Sequence, residues 1–420
     1  MDSFLINGAK PLYGKICTNC SKNALLPILA GCLMCDGVVN IKKVTYYEDI
    51  INMLTILRSL GAMVDERADE LFIDCTNVNR YIISQELTSK LRASVFCLGP
   101  LLCRQKKARI AYPGGCSIGA RPIDIHLNGL QCLGVKIIDK HGYITASAEN
   151  MHAGAVHLPF PSVGATENLI MASIFLKGKT TLFGVAKEPE VVDLCNFLNS
   201  LGAKIFGAGN DTIEIYGVER LLKNATYSPI ADRIIAGTYA MLPLMTGGEI
   251  EVENINVDYI SPLIFMLKNN SCKVHIKGDK MIVSKKTRLK SFDKVETLPY
   301  PHFPTDLQQP ITSVATLCKG TTIITENMFE NRFKHVPELI KMGAKINVCK
   351  SSIIVEGVPE LFGAQVEAPD LRGGACLVLA GLSALGYTTV KNVNLIDRGY
   401  FQLENQLKMV GADIKRIKQE

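Results

Sequence analysis

Tryptophan is absent from this 420-residue chain, and aromatic residues make up only 7% of it. Proteins that bind single-stranded nucleic acid usually combine basic residues with aromatic side chains on which the bases stack. The densest basic run, residues 285–290, contains no aromatic residue, and we interpret it as a solvated turn. The net charge of +6 is small for this length, and such an excess suits an anionic small substrate. We therefore expect no nucleic-acid partner.

Long hydrophobic runs are also lacking. The longest uncharged apolar stretches, residues 24–35 and 375–390, are shorter than the roughly 20 residues that a membrane-spanning helix needs. The first residues, Met1-Asp2-Ser3-Phe4, do not resemble the basic and then apolar start of a signal peptide. We therefore expect a cytoplasmic protein without membrane insertion, in which the fourteen cysteines are reduced thiols.

Two C-x2-C pairs, Cys17/Cys20 and Cys32/Cys35, resemble a zinc-knuckle pattern. Ligands of structural zinc usually lie on turns, whereas the second pair ends an apolar segment, residues 24–31, that predicts a buried helix. The seven histidines are scattered and form no H-E-x-x-H set. We therefore expect no metal and no cofactor.

A repeated turn, Leu-Gly-Ala or a close variant, runs through the chain. Its glycines are at positions 61, 134, 202, 343 and 411, and a degraded copy is centred on residue 271, so that successive copies are 73, 68, 69, 72 and 68 residues apart. Each repeat reads as a small apolar helix (168–176 in the third), a strand (178–183), an amphipathic helix (191–201) and two short strands. This order predicts an α/β protein of six βαβαββ-type repeats.

Six repeats of about 70 residues exceed what one hydrophobic core usually holds, which predicts two lobes of three repeats each. We place lobe one at residues 22–230. Lobe two comprises residues 1–21 and 231–420, because the last repeat lacks a closing strand that the N-terminal strands can supply. Ligand sites are common in clefts between lobes, and we expect the site there.

One loop, residues 112–122, concentrates glycine and proline around a single thiol, Cys116, with Arg121 close by. A thiol beside an arginine and free backbone N–H groups can have a depressed pKa and act as an acid or a nucleophile. An ordinary surface turn explains the same composition equally well.

A set of arginines recurs near the repeat junctions, and most have an acidic or amide neighbour. Guanidinium groups that converge on one cleft bind carboxylates and phosphates, while ion pairs that stabilise the repeats are the alternative. Lys22 opens the first helix, where a cation and N-terminal amides together favour an anion. Asp306 is either a helix cap or a base. The arginines are Arg92, Arg121, Arg233, Arg332, Arg372 and Arg398.

Eight segments together resemble the UDP-N-acetylglucosamine 1-carboxyvinyltransferase family of enolpyruvyl transferases, in order and at matching spacing from residue 1 to about 416. The Gly-Gly-Cys loop distinguishes this family from the related enolpyruvylshikimate-phosphate synthases. The family fold, two inverse α/β prism lobes of three repeats each, agrees with the repeat count. The segments are residues 21–24, 91–94, 113–122, 162–166, 303–306, 329–333, 370–372 and 397–400.

The resemblance implies transfer of the enolpyruvyl group of phosphoenolpyruvate to the 3′-hydroxyl of UDP-N-acetylglucosamine, with release of phosphate, in the first committed step of peptidoglycan synthesis. It implies that Cys116 protonates the methylene carbon of phosphoenolpyruvate, can form a thioketal with it and is the target of fosfomycin. Asp306 corresponds to the base toward the sugar hydroxyl, and Lys22, Arg121 and Arg398 correspond to the groups that bind the phosphate. The other implied substrate-binding residues are Asn23, Arg92, Pro122, Ile123, Asp124, Ile125, Ser162, Val163, Gly164, Met328, Arg332, Asp370 and Arg372.

Two positions depart from the family pattern. Phe160 stands where some members carry lysine, so that one diphosphate contact is missing or replaced, and Gly373-Gly374 looks looser than the usual small pair with alanine. A shikimate-phosphate enolpyruvyl transferase is the nearest alternative function. An inactive paralogue that serves as a sensor or scaffold is the alternative from another class.

Overall fold

A computed structural model describes residues 2–112, 123–270 and 272–418. The described chain divides into two compact units. The first unit comprises residues 20–112 and 123–230, and the second comprises residues 2–19, 231–270 and 272–418. That these units act as lobes which enclose a ligand stays a prediction.

The helices and strands follow the repeat order. The α-helices are α1 (Lys22–Cys32), α2 (Glu48–Leu60), α3 (Gln85–Lys90), α4 (Leu98–Gln105), α5 (Asp124–Cys132), α6 (Val163–Ser173), α7 (Pro189–Ser200), α8 (Arg233–Thr246), α9 (Ser261–Asn269), α10 (Gln308–Thr316), α11 (Val336–Lys341), α12 (Leu371–Ser383), α13 (Asn394–Asp397) and α14 (Leu403–Met409). Short 3-10 helices span Arg92–Cys97, Val257–Ile260 and Thr305–Leu307.

The strands are β1 (Ser3–Asn7), β2 (Leu12–Cys17), β3 (Val38–Lys42), β4 (Met63–Glu66), β5 (Glu70–Asp74), β6 (Ile82–Ile83), β7 (Lys107–Ala111), β8 (Lys136–Lys140), β9 (Tyr143–Ser147), β10 (Ala155–His157), β11 (Lys179–Phe183), β12 (Lys204–Phe206), β13 (Thr212–Tyr216), β14 (Ala225–Tyr227), β15 (Gly248–Glu253), β16 (Lys273–Lys277), β17 (Lys280–Ser284), β18 (Lys294–Thr297), β19 (Thr321–Glu326), β20 (Lys345–Cys349), β21 (Ser352–Glu356), β22 (Gln365–Glu367), β23 (Tyr387–Lys391) and β24 (Asp413–Ile417).

Six four-stranded sheets in the described residues confirm the six predicted repeats. In the third repeat the order is β10-β11-β13-β12, where β10 and β11 are parallel and the remaining pairs are antiparallel. The predicted strand at 178–183 and helix at 191–201 are confirmed as β11 and α7. The predicted helix at 168–176 begins earlier, at Val163, because the hydroxyl of Ser162 caps it by accepting from Ala165 N.

The five glycines of the repeated turn share one backbone conformation. Gly61 and Gly202 have φ of 109° and 95°, and the other described glycines of the turn, at positions 134, 343 and 411, are also positive. A side chain at positive φ is strained, and helices commonly end on such a residue. At these five places the turn therefore ends the amphipathic helix where the repeat needs a sharp reversal into the next strand.

The two N-terminal strands join different sheets of the second unit. Strand β1 lies between β23 and β24, with Phe4 opposite Val390 and Arg416. Strand β2 pairs in parallel with β15, at the place that β10 has in the third repeat. In the first unit, β14 has that same place beside β3. Each unit therefore completes its sheets with strands from both ends of its sequence.

The first helix of each repeat is almost entirely buried, as in α1, α8 and α12. The starts of these helices are capped by side chains: Ser21 accepts from Ala24 N, Asp232 accepts from two amides of α8, and Asp370 accepts from two amides of α12. These capped starts carry Lys22, Arg233 and Arg372. Local capping therefore places the charged candidates at the helix N-termini. No helix in the described part of the chain is long and apolar enough to span a membrane.

Candidate active site

Asp306 is the centre of a charged cluster in the second unit. It lies inside the 3-10 helix Thr305–Leu307, directly before α10. Nη2 of Arg332 donates to Oδ1 of Asp306 at 2.5 Å, and Nε and Nη2 of Arg372 donate to Oδ2 at 3.1 and 3.0 Å. The helix-cap alternative for Asp306 is wrong, since the N-cap of this turn is Pro304. The carboxylate instead joins two arginines from separate repeats.

The two arginines are almost completely buried. Their side chains are 3% and 4% exposed, while that of Asp306 is 28% exposed. Burial by itself lowers the pKa of Arg372, but Asp306 together with Tyr400 and Asp232 more than offsets this, and the pKa is raised. Within the described residues, Nε of Arg332 and Nη1 of Arg372 make no hydrogen bond. The cluster therefore combines fixed positive charge, two buried donors and a partly accessible carboxylate, which suits the binding of an anion.

Aromatic rings lie against these guanidinium groups. Arg332 lies 5.5 Å from the centre of the Phe329 ring, and Arg372 lies 5.4 Å from that of Tyr400. Such contacts hold a planar cation in one orientation. Arg398 is half-buried and follows α13 directly, two residues before Tyr400.

Two further candidates of the second unit lie at the starts of helices. Arg233 is the first residue of α8 and lies 5.4 Å from the centre of the Tyr300 ring. Asp370 caps α12, because its Oδ1 accepts from the backbone N–H groups of Arg372 and Gly373. Asp370 therefore fixes the backbone that carries Arg372.

Met328 is held by a buried glutamate that sequence reasoning missed. Oε1 of Glu326 accepts from Met328 N and Phe329 N at 2.9 and 3.2 Å, and Oε2 accepts from Thr305 Oγ1 at 2.9 Å. Burial raises the pKa of Glu326, and these hydrogen bonds lower it in part. Glu326 therefore connects Met328 with the turn that contains Asp306.

In the first unit, Lys22 pairs with an acid that the sequence did not single out. Its Nζ lies 2.8 Å from Oδ2 of Asp49, and both side chains are buried. Lys22 is the first residue of α1, and Asn23 beside it is exposed. Asp49 follows Glu48 in the first turn of α2, a position where acids commonly stabilise a helix. Because this position is an ordinary one for an acid, the sequence did not indicate that Asp49 pairs with Lys22.

The candidates near the start of α6 lie close to two other elements. A Cβ at Gly164 would lie 3.1 Å from the Phe96 ring and 3.2 Å from the His126 ring. Asn168 joins the same elements: its Nδ2 donates to Val95 O and lies 3.2 Å from Nδ1 of His126, and its Oδ1 accepts from Gly99 N. The start of α6 is therefore fixed against α5 and the 3-10 helix Arg92–Cys97. Asn168, a buried polar residue, was also missed.

The remaining first-unit candidates lie at element starts. Arg92 opens the 3-10 helix Arg92–Cys97 and is half-buried. Ile123 is the buried N-cap of α5, and the exposed Asp124 and half-buried Ile125 begin that helix. Cys116, Arg121 and Pro122 lie outside the described residues.

The two departures from the family pattern have different surroundings. Phe160 is 41% exposed. The glycine pair at 373 and 374 is packed tightly: a Cβ on Gly373 would lie 2.7 Å from Cγ of Pro369, and one on Gly374 would lie 2.5 Å from Cγ1 of Ile396. The expectation that this pair is loose is wrong, because α12 approaches its neighbours too closely there for a side chain.

No group of three or more His, Cys, Asp or Glu side chains in residues 2–112, 123–270 and 272–418 is placed to hold a metal ion. Of the zinc-like cysteines, Cys20, Cys32 and Cys35 are buried and Cys17 is exposed.

Comparison with known proteins gives the same fold and family. Residues 6–407 match the family model of EPSP synthase (3-phosphoshikimate 1-carboxyvinyltransferase). The enolpyruvyl transferase NikO from Streptomyces tendae has a TM-score of 0.90 at 23% identity, covering 100% of this chain and 99% of that one. The EPSP synthase from Acinetobacter baumannii has a TM-score of 0.75 at 17% identity, covering both chains completely. At these identities the two structures support the fold alone.

Relatives found by sequence share a larger fraction of identical residues with this chain. UDP-N-acetylglucosamine 1-carboxyvinyltransferase 2 of Caldanaerobacter subterraneus subsp. tengcongensis is 45% identical over 417 residues, covering 99% of this chain and 100% of the relative. UDP-N-acetylglucosamine 1-carboxyvinyltransferase of Geobacter metallireducens is 41% identical over 419 residues, covering both completely. With a family match along nearly the whole chain and these full-length relatives, the chain belongs to the enolpyruvyl transferases of the EPSP synthase family and, within them, to the UDP-N-acetylglucosamine 1-carboxyvinyltransferases.

Proposed function

We propose that this enzyme transfers the enolpyruvyl group of phosphoenolpyruvate to the 3′-hydroxyl of UDP-N-acetylglucosamine and releases phosphate. The full-length identity to enzymes named for this activity supports the acceptor. The observation that carries the proposal is the attachment of Asp306 to two buried arginines, which places a carboxylate beside fixed positive charge. A transfer that uses an anionic donor and a hydroxyl acceptor needs both.

The chemistry proceeds by addition and then elimination. Cys116 gives a proton to the methylene carbon of phosphoenolpyruvate, which makes the adjacent carbon electrophilic. The sugar 3′-oxygen bonds to that carbon, and its proton goes to Asp306. Loss of phosphate, with transfer of a proton from the new methyl group back to the Cys116 thiolate, restores the carbon–carbon double bond in the product. Asp306 gives its proton to the departing phosphate. Fixed cations stabilise the charge that develops along this path.

The chain's own residues supply that charge. In this proposal Lys22, Arg121 and Arg398 bind the phosphate of phosphoenolpyruvate, and Arg332 and Arg372 bind its carboxylate or hold the active geometry. Because Asp49 holds the ammonium of Lys22 and Asp370 holds the backbone of Arg372, two of these cations are fixed before a ligand arrives. The other proposed substrate-binding residues are Asn23, Arg92, Pro122, Ile123, Asp124, Ile125, Ser162, Val163, Gly164, Met328 and Asp370.

We propose that the enzyme acts in the cytoplasm, in peptidoglycan synthesis.

A phosphate-release assay with phosphoenolpyruvate and UDP-N-acetylglucosamine tests the proposal. We expect release only when both substrates are present, and a loss in kcat of about 10²–10⁴-fold in Asp306→Asn, the range for a lost general base. Asp279→Asn, at an exposed turn between β16 and β17, is the matched control and should keep full activity. Circular dichroism checks that each variant is folded.

The alternatives give different results. Turnover with shikimate 3-phosphate in place of the UDP-sugar would show the related synthase activity. A folded protein that binds UDP-N-acetylglucosamine without turnover would show a sensor or scaffold. Full activity of Asp306→Asn would remove Asp306 from the mechanism.

A further inference from the structure

Glu326, the last residue of β19, is unusual because it is a carboxylate buried at the end of a strand. Its side chain is buried, with 3% of the residue exposed, and its two oxygens accept three hydrogen bonds, from Met328 N, Phe329 N and Thr305 Oγ1. Burial of a carboxylate is costly even when it is hydrogen-bonded. A neutral side chain could hold the loop with a smaller desolvation cost. Fixing the loop alone therefore does not explain why a carboxylate is buried at this position.

The contacts of Glu326 form a closed ring with the Asp306 cluster. Asp306 binds Arg332, and the guanidinium of Arg332 lies 5.5 Å from the centre of the Phe329 ring. Phe329 N donates to Glu326. Glu326 accepts from Thr305, which precedes Asp306 in the chain. The carboxylate of Glu326 therefore fixes both sides of the Asp306–Arg332 pair.

The loop after β19 is fixed a second time from a neighbouring strand. Asn327 N donates to Oγ1 of Thr297 at 3.0 Å, and Nδ2 of Asn327 donates to Thr297 O at 3.2 Å. Thr297 ends β18, the strand parallel to β19. The loop thus has its own attachment to the sheet, whereas the hydrogen bond from Thr305 Oγ1 connects Glu326 directly to the turn of Asp306.

We infer that Glu326 is a positioning residue for the enolpyruvyl transfer, which holds the Asp306 turn in register with the Met328–Phe329 loop through the hydroxyl of Thr305. The inference rests on the proposed function, in which Asp306 accepts the proton of the sugar hydroxyl and Met328 contacts the UDP-sugar. A base and a substrate-binding loop that shift relative to each other by a fraction of an ångström lose rate, because proton transfer requires hydrogen-bond geometry.

Thr305→Val tests the connection without removing the buried carboxylate. The change keeps the shape of the side chain and removes the hydroxyl. We expect kcat to fall about tenfold or more, with KM for phosphoenolpyruvate within about twofold of wild type, and Thr305→Ser to restore kcat. Thr325→Val is the matched control: it breaks the 2.9 Å contact between Thr325 Oγ1 and Ser352 Oγ in the same sheet, and it should leave kcat unchanged.

Substitution of Glu326 itself separates positioning from folding. Glu326→Gln keeps an acceptor for the two loop amides and should retain most activity. Glu326→Ala should lower kcat and raise KM for UDP-N-acetylglucosamine. Rates are compared per folded molecule, after urea unfolding has given the folded fraction. In the Asp306→Asn background, Thr305→Val should change kcat by less than about twofold, because the hydroxyl acts through Asp306.

Several results would overturn the inference. The first is a Thr305→Val variant that keeps the wild-type kcat and pH profile. The second is a loss of activity in Glu326→Ala that is fully explained by its unfolded fraction. A full additional loss from Thr305→Val in Asp306→Asn would show that Thr305 does not act through Asp306. Failure of the proposed function is distinct, since the wild-type enzyme would then show no phosphate release that depends on UDP-N-acetylglucosamine.

Discussion

Replacement of His335 should change how the stability of this protein depends on pH. His335 is the N-cap residue of α11 and is only 1% exposed. Burial, and to a lesser extent the nearby charge of Arg332, lower its pKa from 6.5 to about 3. The imidazole is therefore neutral in the folded protein at every pH at which the enzyme would be assayed.

The direction of the effect follows from the two pKa values. Between pH 6.5 and about 3, the unfolded chain binds a proton at His335 and the folded chain does not. The free energy of unfolding therefore falls as the pH is lowered through this window, by about 1.4 kcal/mol per unit well below pH 6.5. From pH 7 to pH 5 the contribution of His335 is about 2 kcal/mol, a large part of the stability of an ordinary domain.

Urea unfolding of the wild type and His335→Leu at pH 5 and pH 7 measures this contribution. Leucine is similar in size and does not titrate, so the other ionisable groups cancel in the difference between the two proteins. We expect the wild type to lose about 2 kcal/mol relative to His335→Leu between pH 7 and pH 5. His302→Leu, at an exposed position, is the control. If His335→Leu follows the same pH dependence as the wild type, the imidazole is protonated in the folded state and the reasoning is refuted.

The remaining predictions concern the thiols and one helix cap. Fosfomycin should label Cys116 in preference to the other cysteines, because ten of the thirteen cysteines that the structure describes are buried. Peptide mapping measures this, and a label found mainly on an exposed thiol (Cys17, Cys132 or Cys349) would contradict the prediction. Cys116→Ser should lose most phosphate release near neutral pH, because a hydroxyl is a much weaker acid than a thiol, whereas full turnover would exclude a role as acid. Asp370→Ala should lower the free energy of unfolding by about 1 kcal/mol through loss of the α12 cap, and Asp370→Asn, which can still cap, should lower it less; equal losses on urea unfolding would argue against capping.

Much of the fold could be predicted from local pattern. The glycine turns recur because the amphipathic helices that they follow end in a left-handed residue, and that requirement is visible in the sequence as a period of about 70 residues. The start of α6, which Ser162 caps, shows where prediction from the apolar pattern fails. The apolar pattern placed the helix start at Asn168, whereas the cap at Ser162 started it at Val163, because a side-chain hydrogen bond outweighs the low helix propensity of Gly164.

The candidate site was only partly predictable. The charged residues at helix starts were found because their types and spacing are visible. Glu326 and Asp49 were missed, because nothing in their neighbourhood shows that they are buried. An acid at the end of a strand or in the first turn of a helix is ordinary at the surface, and only its partner, Thr305 or Lys22, reveals its role.

What the sequence alone determined is therefore the set of elements, their repeat and the family, since these depend on local propensity and on ordered motifs. The tertiary structure alone decided which groups Asp306 contacts. As a local pattern, Pro304-Thr305-Asp306 fits a helix cap as well as a base, but its partners Arg332 and Arg372 are 26 and 66 residues away in the chain. Only packing of the separate repeats brings those charges within hydrogen-bond distance, because the energy of a charge pair depends on distance in space rather than in sequence.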